Sequence, residues 1–167
     1  MSGLTEFERE IISNVEKHGC HIMGVFDPEG AEPNFAYSVG FTRTLEKVGK
    51  PDCPEVILFG LPRAVVGPAI NSLLAMCAAG QALRDGERLD SFFEAYDAVV
   101  RMVHETRIEE KYLNSAMWYH RTQMGRSLSK VAMIVWPDQN SVFPWEEGCE
   151  EWVRRDQPAL YEPRLMQ

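Results

Sequence analysis

Two tryptophans and an aspartate are set between prolines late in the chain, in Trp136-Pro137-Asp138 and Phe143-Pro144-Trp145. Indole faces stack on planar molecules and a few polar groups orient them, so the two segments read as the rigid aromatic rim of a small-ligand pocket. Trp118, Tyr119 and His120 form a second aromatic group. It reads either as a cluster at the edge of the core or as further lining of that pocket. Tyr37 and Ser38 lie in Ala36-Tyr37-Ser38-Val39-Gly40, the small-x-Ser-x-Gly form of a nucleophile elbow. An elbow requires a helix directly after the serine, and Phe41-Thr42-Arg43-Thr44 carries no helical stripe. A plain strand is therefore expected, with Ser38 able to donate a hydrogen bond to a ligand. Arg43 follows in what reads as a loop, where a guanidinium either clamps a phosphate or carboxylate or is simply solvated. Asp138 reads first as the residue that closes its own turn, since acid or base work would need a partner.

Other groups carry less. His18, Cys20 and His21 invite a metal reading, but on a strand Cys20 and His21 point to opposite faces and do not share an ion easily. His104-Glu105 starts like H-E-x-x-H, yet Ile108 stands in the fifth position, and His104 reads as a surface or helix-start residue. Neither G-x-x-x-x-G-K-[ST] nor G-x-G-x-x-G occurs, which argues against an ATP or Rossmann-type NAD site.

The elements that must hold these residues follow from pattern. Thr5-Glu6-Phe7-Glu8 matches a capping box, and Phe7, Ile11, Ile12 and Val15 fall on one face of a helix over about 5–18. Residues 20–26 and 35–41 read as two strands of a hairpin with a long loop. Gly49, Pro51 and Pro54 make 42–54 a loop. Residues 55–59 form a third strand, whose continuous apolar run suggests burial on both faces. Val66, Ile70, Leu73, Leu74 and Cys77 define a helix with Pro68 in its first turn and Gly80 just past its end. Residues 81–95 are ambiguous. Residues 98–103 read as a strand, although Phe92, Tyr96 and Val99 also fit a helix continuing from Ser91. Ile108, Tyr112, Ala116 and Tyr119 mark a helix over 107–121. Val131 to Val135 reads as a buried strand that Pro137 must end. Strands and helices without regular βαβ alternation point to an α+β fold: a mixed or antiparallel sheet, barrel-like in one version, packed with three helices.

The totals agree with one globular domain spanning 1–167, with an acidic tail over 149–167. The net charge of −8 disfavours nucleic acid and anionic membranes as partners. No apolar run is long enough to span a bilayer, and Met1 to Glu10 lacks a signal-peptide core. The four cysteines are widely spaced, so reduced thiols and a cytoplasmic protein are expected.

Four pieces together resemble one family. They are His18-Gly19-Cys20-His21, Phe35-Ala36-Tyr37-Ser38-Val39-Gly40-Phe41, Pro54-Glu55-Val56-Ile57-Leu58-Phe59-Gly60-Leu61-Pro62, and Val135-Trp136-Pro137-Asp138 with Phe143-Pro144-Trp145. Their order and spacing are similar to the domain of unknown function 4262 over about 18–148. That family usually carries a histidine where this chain has Cys53, and its name implies no reaction. A fainter similarity, to flavin-binding split barrels, rests on a Ser-bearing strand beside a Pro-led strand followed by a helix. It implies fold only.

Two readings of function result. In the first, Tyr37, Ser38, Arg43, Trp118, Tyr119, His120, Trp136, Asp138 and Trp145 bind a small planar ligand, a flavin being one candidate cofactor. In the second, the protein is a non-enzymatic interaction or regulatory module. Its tail would then dock a partner or a second copy through Trp152, Leu160 and Tyr161.

Overall fold

The computed structural model describes residues 3–164. The fold is α+β, with a single six-stranded mixed sheet ordered β1-β2-β3-β6-β5-β4. The strands are β1 (His21–Val25), β2 (Phe35–Val39), β3 (Glu55–Phe59), β4 (Arg88–Phe93), β5 (Tyr96–Met102) and β6 (Val131–Val135). The sheet is open, with β1 and β4 as its edges, which corrects the barrel-like version and leaves the split-barrel similarity without a barrel. β3 and β6 pair in parallel at its centre, with Glu55 opposite Val131 and Ile57 opposite Met133. Both are buried along their whole length, as continuous apolar runs require. All other pairs are antiparallel.

Helices cover both faces. On one, Ile11 and Val15 of α1 (Glu6–His18) and Leu113, Ala116 and Tyr119 of α4 (Glu110–Tyr119) pack on Tyr37, Ile57, Phe59 and Met133. On the other, Phe41 and Leu45 of α2 (Phe41–Lys47) and Val66, Ile70 and Leu73 of α3 (Arg63–Ala78) pack on Ala36, Val56, Leu58 and Ile134. The period-two alternation of β3 therefore feeds two cores. The capping box of α1 is present as expected, with Thr5 accepting from the Glu8 N–H and Glu8 accepting from the Thr5 N–H.

Five α-helices occur among the described residues, not three. The first addition is α2, which replaces the expected loop at 42–47. It is seven residues long and shows only Phe41 and Leu45 as an apolar pair, too little periodicity to register. The second is α5 (Glu151–Asp156) in the acidic tail. α3 starts at Arg63, so Pro68 lies inside the helix and not in its first turn. The ambiguous stretch 81–95 contains β4, and the strand read at 98–103 is β5, which spans Tyr96–Met102. The helix expected over 107–121 is divided: a short 3-10 turn (Glu105–Arg107) capped by His104, then α4, which kinks at Leu113. It passes into a π-helical turn (His120–Met124) that ends at Gly125.

The tail is part of the body. Val153 and Leu160 are fully buried, and the Leu160 carbonyl accepts from His104 N–H at 2.8 Å. Gln157 exchanges hydrogen bonds with both backbone groups of Trp136 at 3.0 and 2.8 Å. Leu160 and Tyr161 are anchors as expected, while Trp152 remains 45% exposed. Residues 165–167 of the tail lie outside the described residues.

Gly40 sets the entry of α2. Its φ is +82°, and a Cβ there would fall 2.5 Å from Val15 Cγ2 of α1. Gly40→Ala is expected to cost roughly 2–4 kcal/mol by combining left-handed strain with overpacking. Urea unfolding checks it, with a lower midpoint at unchanged slope. Deleting 150–167 is expected to lower the melting temperature by about 10 °C or more, because it strips buried apolar side chains from one core. Differential scanning calorimetry of the truncated chain measures this.

Candidate functional site

The parallel pair β3 and β6 has a polar cluster at its amino ends and an apolar cavity at its carboxyl ends. The cluster is built on Glu55, the first residue of β3, whose side chain is fully buried. Oε1 accepts from Ser38 Oγ at 2.7 Å and from the Phe41 N–H at 3.1 Å. Oε2 accepts from the Thr42 N–H at 3.3 Å and meets His120 Nε2 at 2.6 Å. Phe41 and Thr42 are the first residues of α2, and the cap residue Gly40 has no side chain to offer them. Glu55 therefore caps α2 from another element, and its negative charge sits where a helix N-terminus favours one. Four donors around one carboxylate fit an acceptor-only, ionised group, with the His120 tautomer carrying hydrogen on Nε2.

Ser38 is equally committed. Its hydroxyl donates to Glu55 and accepts from the Val56 N–H at 2.9 Å, replacing a ladder carbonyl where β2 leaves β3. A helix does follow this strand, contrary to expectation. The left-handed residue is Gly40, however, and Ser38 is an ordinary strand residue paired with Ile22, so there is no elbow. Tyr37 points to the opposite face, where its hydroxyl accepts from the Ser115 N–H at 3.1 Å. Burial pushes the Tyr37 phenol up, against the pull of that bond.

His120 opens the π-helical turn and is 3% exposed. With Nε2 on Glu55, its ring borders a small pocket of about 50 Å³, also lined by Thr42, Cys53, Arg126, Ser129 and Lys130. Burial, then Asp52, raises the Cys53 thiol above its ordinary value, with Lys50 and Lys130 opposing. Asp52, Cys53 and His120 border one pocket, but no set of three such side chains among the described residues could hold a metal ion. His21 binds Asn14 Nδ2 at 2.9 Å on the α1 side, while Cys20 is buried in the other core, pushed up to about 12 by burial and the Glu55 charge.

Arg43 is a helix residue, not a loop residue. It donates to the Gln123 carbonyl and so ties α2 to the π-helical turn. It also counters the burial that raises the neighbouring Tyr119 phenol. Trp118 meets Tyr119 edge-on at 6.4 Å.

The carboxyl ends differ. Trp136 donates from Nε1 to the Phe59 carbonyl at 2.8 Å and tilts against Trp152 at 5.8 Å. Gly60 makes room for it: a Cβ there would lie 2.9 Å from the indole. Trp136, Pro137 and Asp138 border a cavity of about 660 Å³, closed by Val65 and Ala69 of α3, by Phe92, Phe93 and Tyr96 of the β4–β5 hairpin, and by Trp152 of α5. Asp138 is 2% exposed and closes its turn as read, accepting from Asn140 and Val142 N–H through Oδ1 and from Glu150 N–H through Oδ2. Burial works to raise its pKa, but these N–H groups outweigh it and hold the carboxyl below its ordinary value.

The expected aromatic rim is thus not one structure. Trp136 borders the large cavity, whereas Trp145 stacks on Phe143 at 5.2 Å, with Arg101 4.5 Å above its ring. Trp118, Tyr119 and His120 belong to α4 and the turn after it, toward the amino end of β3. Sequence reasoning passed over Glu55, Thr42, Arg126 and Lys130. The signal for Glu55 was one carboxylate opening a strand buried on both faces, since such a charge must find donors.

Glu55→Ala leaves His120, Ser38 and two helix N–H groups without their acceptor. A loss of about 3–5 kcal/mol is expected, and Glu55→Gln should lose less. Chemical denaturation of both variants measures the difference. For Asp138, the depressed folded pKa means its contribution is complete above the unfolded value near 3.9 and disappears as pH falls through the folded value. Asp138→Asn should lower melting temperature at pH 7 and flatten its decline below about pH 4, as thermal melts across pH would reveal.

No curated protein and no solved structure matches this chain. The model of the family described as Domain of unknown function (DUF4262) matches residues 14–150, most of the chain, and the protein belongs to that family.

Proposed function

We propose that the protein binds a small planar apolar molecule in the cavity beside Trp136. The observation that carries this reading is the cavity itself. About 660 Å³ is within the usual range for small-molecule sites, and the lining is mostly apolar, with indole and phenyl faces supplied by four elements. Its place supports the reading as well, because open sheets bind ligands beyond the carboxyl ends of parallel strands. Among the described residues only β3 and β6 pair in parallel; Trp136 follows β6 directly, and Leu61 follows β3 after Gly60.

Trp136 and Trp152 would stack on the ligand, while Gln139 and the carbonyl edge of the Asp138 turn would orient it. The lining includes Glu94 and Asp138 but neither lysine nor arginine. That charge pattern favours a neutral or positively charged ring system over a phosphate-bearing flavin. Of the residues expected from the sequence to bind a ligand, Trp136 and Asp138 belong to this proposed site, joined by Trp152 of the tail. No helix among the described residues is long and apolar enough to cross a membrane.

Absorbance spectra and native mass spectrometry of the purified protein, followed by tryptophan-quenching titrations with riboflavin and FMN, test the proposal. Riboflavin is expected to quench saturably and to bind about tenfold or more tightly than FMN, since only FMN brings a phosphate to an acidic lining. Ser72 is exposed on α3 and borders the cavity, so Ser72→Trp should occlude it and abolish quenching without a change in fold. A bare-mass, colourless protein that riboflavin does not quench would overturn the planar-ligand reading.

A further inference from the structure

His120 has one nitrogen on Glu55 and one that no group among the described residues takes. Among the described residues, every fully buried side-chain nitrogen or oxygen has a partner. The sole polar contact of the His120 ring is Nε2 to Glu55 at 2.6 Å. Nδ1 is therefore not sealed in the core, and the opening that His120 borders is the small pocket at the amino ends of β3 and β6.

The other groups around that opening are donors and cations. Ser127, Ser129 and Lys130 are exposed, and their side chains have no hydrogen-bond or ion-pair partner among the described residues. Arg126 pairs with Glu46 through Nη2 and keeps its remaining N–H groups free. The Thr42 hydroxyl is already used, donating to the Cys53 carbonyl at 2.7 Å. Asp52 is the one carboxylate in the lining, against two cations. Glu46 and Glu55 stand behind two of the lining groups, as partners of Arg126 and of His120, which leaves Lys130 as the lining cation without an ion pair among the described residues. The volume, about 50 Å³, suits a group of a few heavy atoms rather than a whole ligand.

We propose that this pocket binds a small oxyanion, either inorganic phosphate or the phosphate group of a larger ligand, seated between Lys130, Arg126 and the Nδ1 of His120. Lys130 and Arg126 supply charge, and Ser127 and Ser129 supply neutral donors. Glu55 fixes the imidazole in orientation and tautomer, as a carboxylate does for a functional histidine elsewhere. Nδ1 then accepts from a P–OH group, or donates to a phosphoryl oxygen when the ring carries both protons. The site is independent of the apolar cavity, which lies at the opposite ends of the same strands.

The test uses the full chain. Isothermal titration with inorganic phosphate and with phenyl phosphate, at constant ionic strength set by chloride, is paired with NMR of the His120 ring protons. Saturable binding with a shift of the His120 Cε1–H resonance is expected. Lys130→Ala, at an exposed position that leaves the fold intact, should weaken binding about tenfold through loss of one charge-assisted contact. Tighter binding of phenyl phosphate would assign the site to the phosphate group of a larger ligand, and equal or tighter binding of inorganic phosphate to the free ion. No heat and no His120 shift with either probe up to tens of millimolar overturns the proposal, as does binding that Lys130→Ala leaves unchanged. Riboflavin quenching is unaffected by either outcome, so this site and the apolar cavity stand or fall separately.

Discussion

A single buried carboxylate holds the amino half of this fold together. Glu55 starts the central strand β3, caps α2, receives the hydroxyl of β2 and anchors the imidazole that ends α4. Each of these elements needs it for a different reason. α2 is too short to be stable alone and has no side-chain cap of its own. β2 parts from β3 at Ser38, where the hydroxyl takes over a ladder position. His120 is nearly sealed and could not leave Nε2 unpartnered without a desolvation cost. A buried ionised group is costly by itself and becomes tolerable only when its lone pairs are filled. Glu55 meets that condition through four donors from three surrounding elements, so none of these elements can shift without leaving the charge exposed to an apolar core.

The parallel pairing of β3 with β6 turns this local arrangement into a division of labour along the sheet. Both strands run the same way, so their amino ends gather one set of loops and their carboxyl ends another. Five residues of strand separate the two sets, roughly 16 Å at the usual rise. The amino ends collect Cys53, Ser129 and Lys130 around His120. The carboxyl ends collect Leu61, Trp136 and Pro137 around the large cavity. Proline and glycine enforce the second set: Pro137 cannot continue β6, and Gly60 lets the Trp136 indole close against the end of β3. The tail completes this end, since Gln157 takes both backbone groups of Trp136 that no further strand residue could satisfy.

Legibility in the sequence followed the length scale of each signal. The long α1 and α3 stripes, the continuous runs of β3 and β6, and the capping box at Thr5 each carry several mutually consistent residues, and all are present. α2 carries two apolar residues and was invisible for that reason. Its stability comes from Glu55, a contact across 14 positions of sequence that periodicity cannot register. The division of the 107–121 helix reflects the kink at Leu113 and the π-helical turn, neither of which alters the spacing of Ile108, Tyr112, Ala116 and Tyr119. The aromatic residues read as one rim because they are close in kind. The sheet sends them to different places: Trp136 leaves β6 toward the α3 side, whereas Trp145, nine residues further on, stacks over the β5 residue Arg101. No rule of local spacing distinguishes these outcomes, since each depends on which strand ends lie side by side.

The chemistry open to the protein narrows when the reactive groups are followed to their partners. The Ser38 hydroxyl both donates and accepts within the core and is fully buried, so it is closed to a ligand and has no base to activate it beyond a carboxylate already filled. Asp138 spends its two oxygens on three backbone N–H groups, and those bonds stabilise the charged form at the expense of the protonated form that a general acid needs. The Cys53 thiol is held toward its neutral, poorly nucleophilic form by burial and by Asp52. Tyr37 gives its oxygen to the Ser115 N–H. What remains uncommitted among the described polar groups near the two sites is Nδ1 of His120, the Ser127 and Ser129 hydroxyls and the Lys130 ammonium at one end, and the amide oxygen of Gln139, whose nitrogen is held by Glu150, at the other. On the reading proposed above, the uncommitted groups serve recognition: folding engages Ser38, Asp138 and Tyr37, while Lys130 and the aromatic faces beside Trp136 stay open to a ligand.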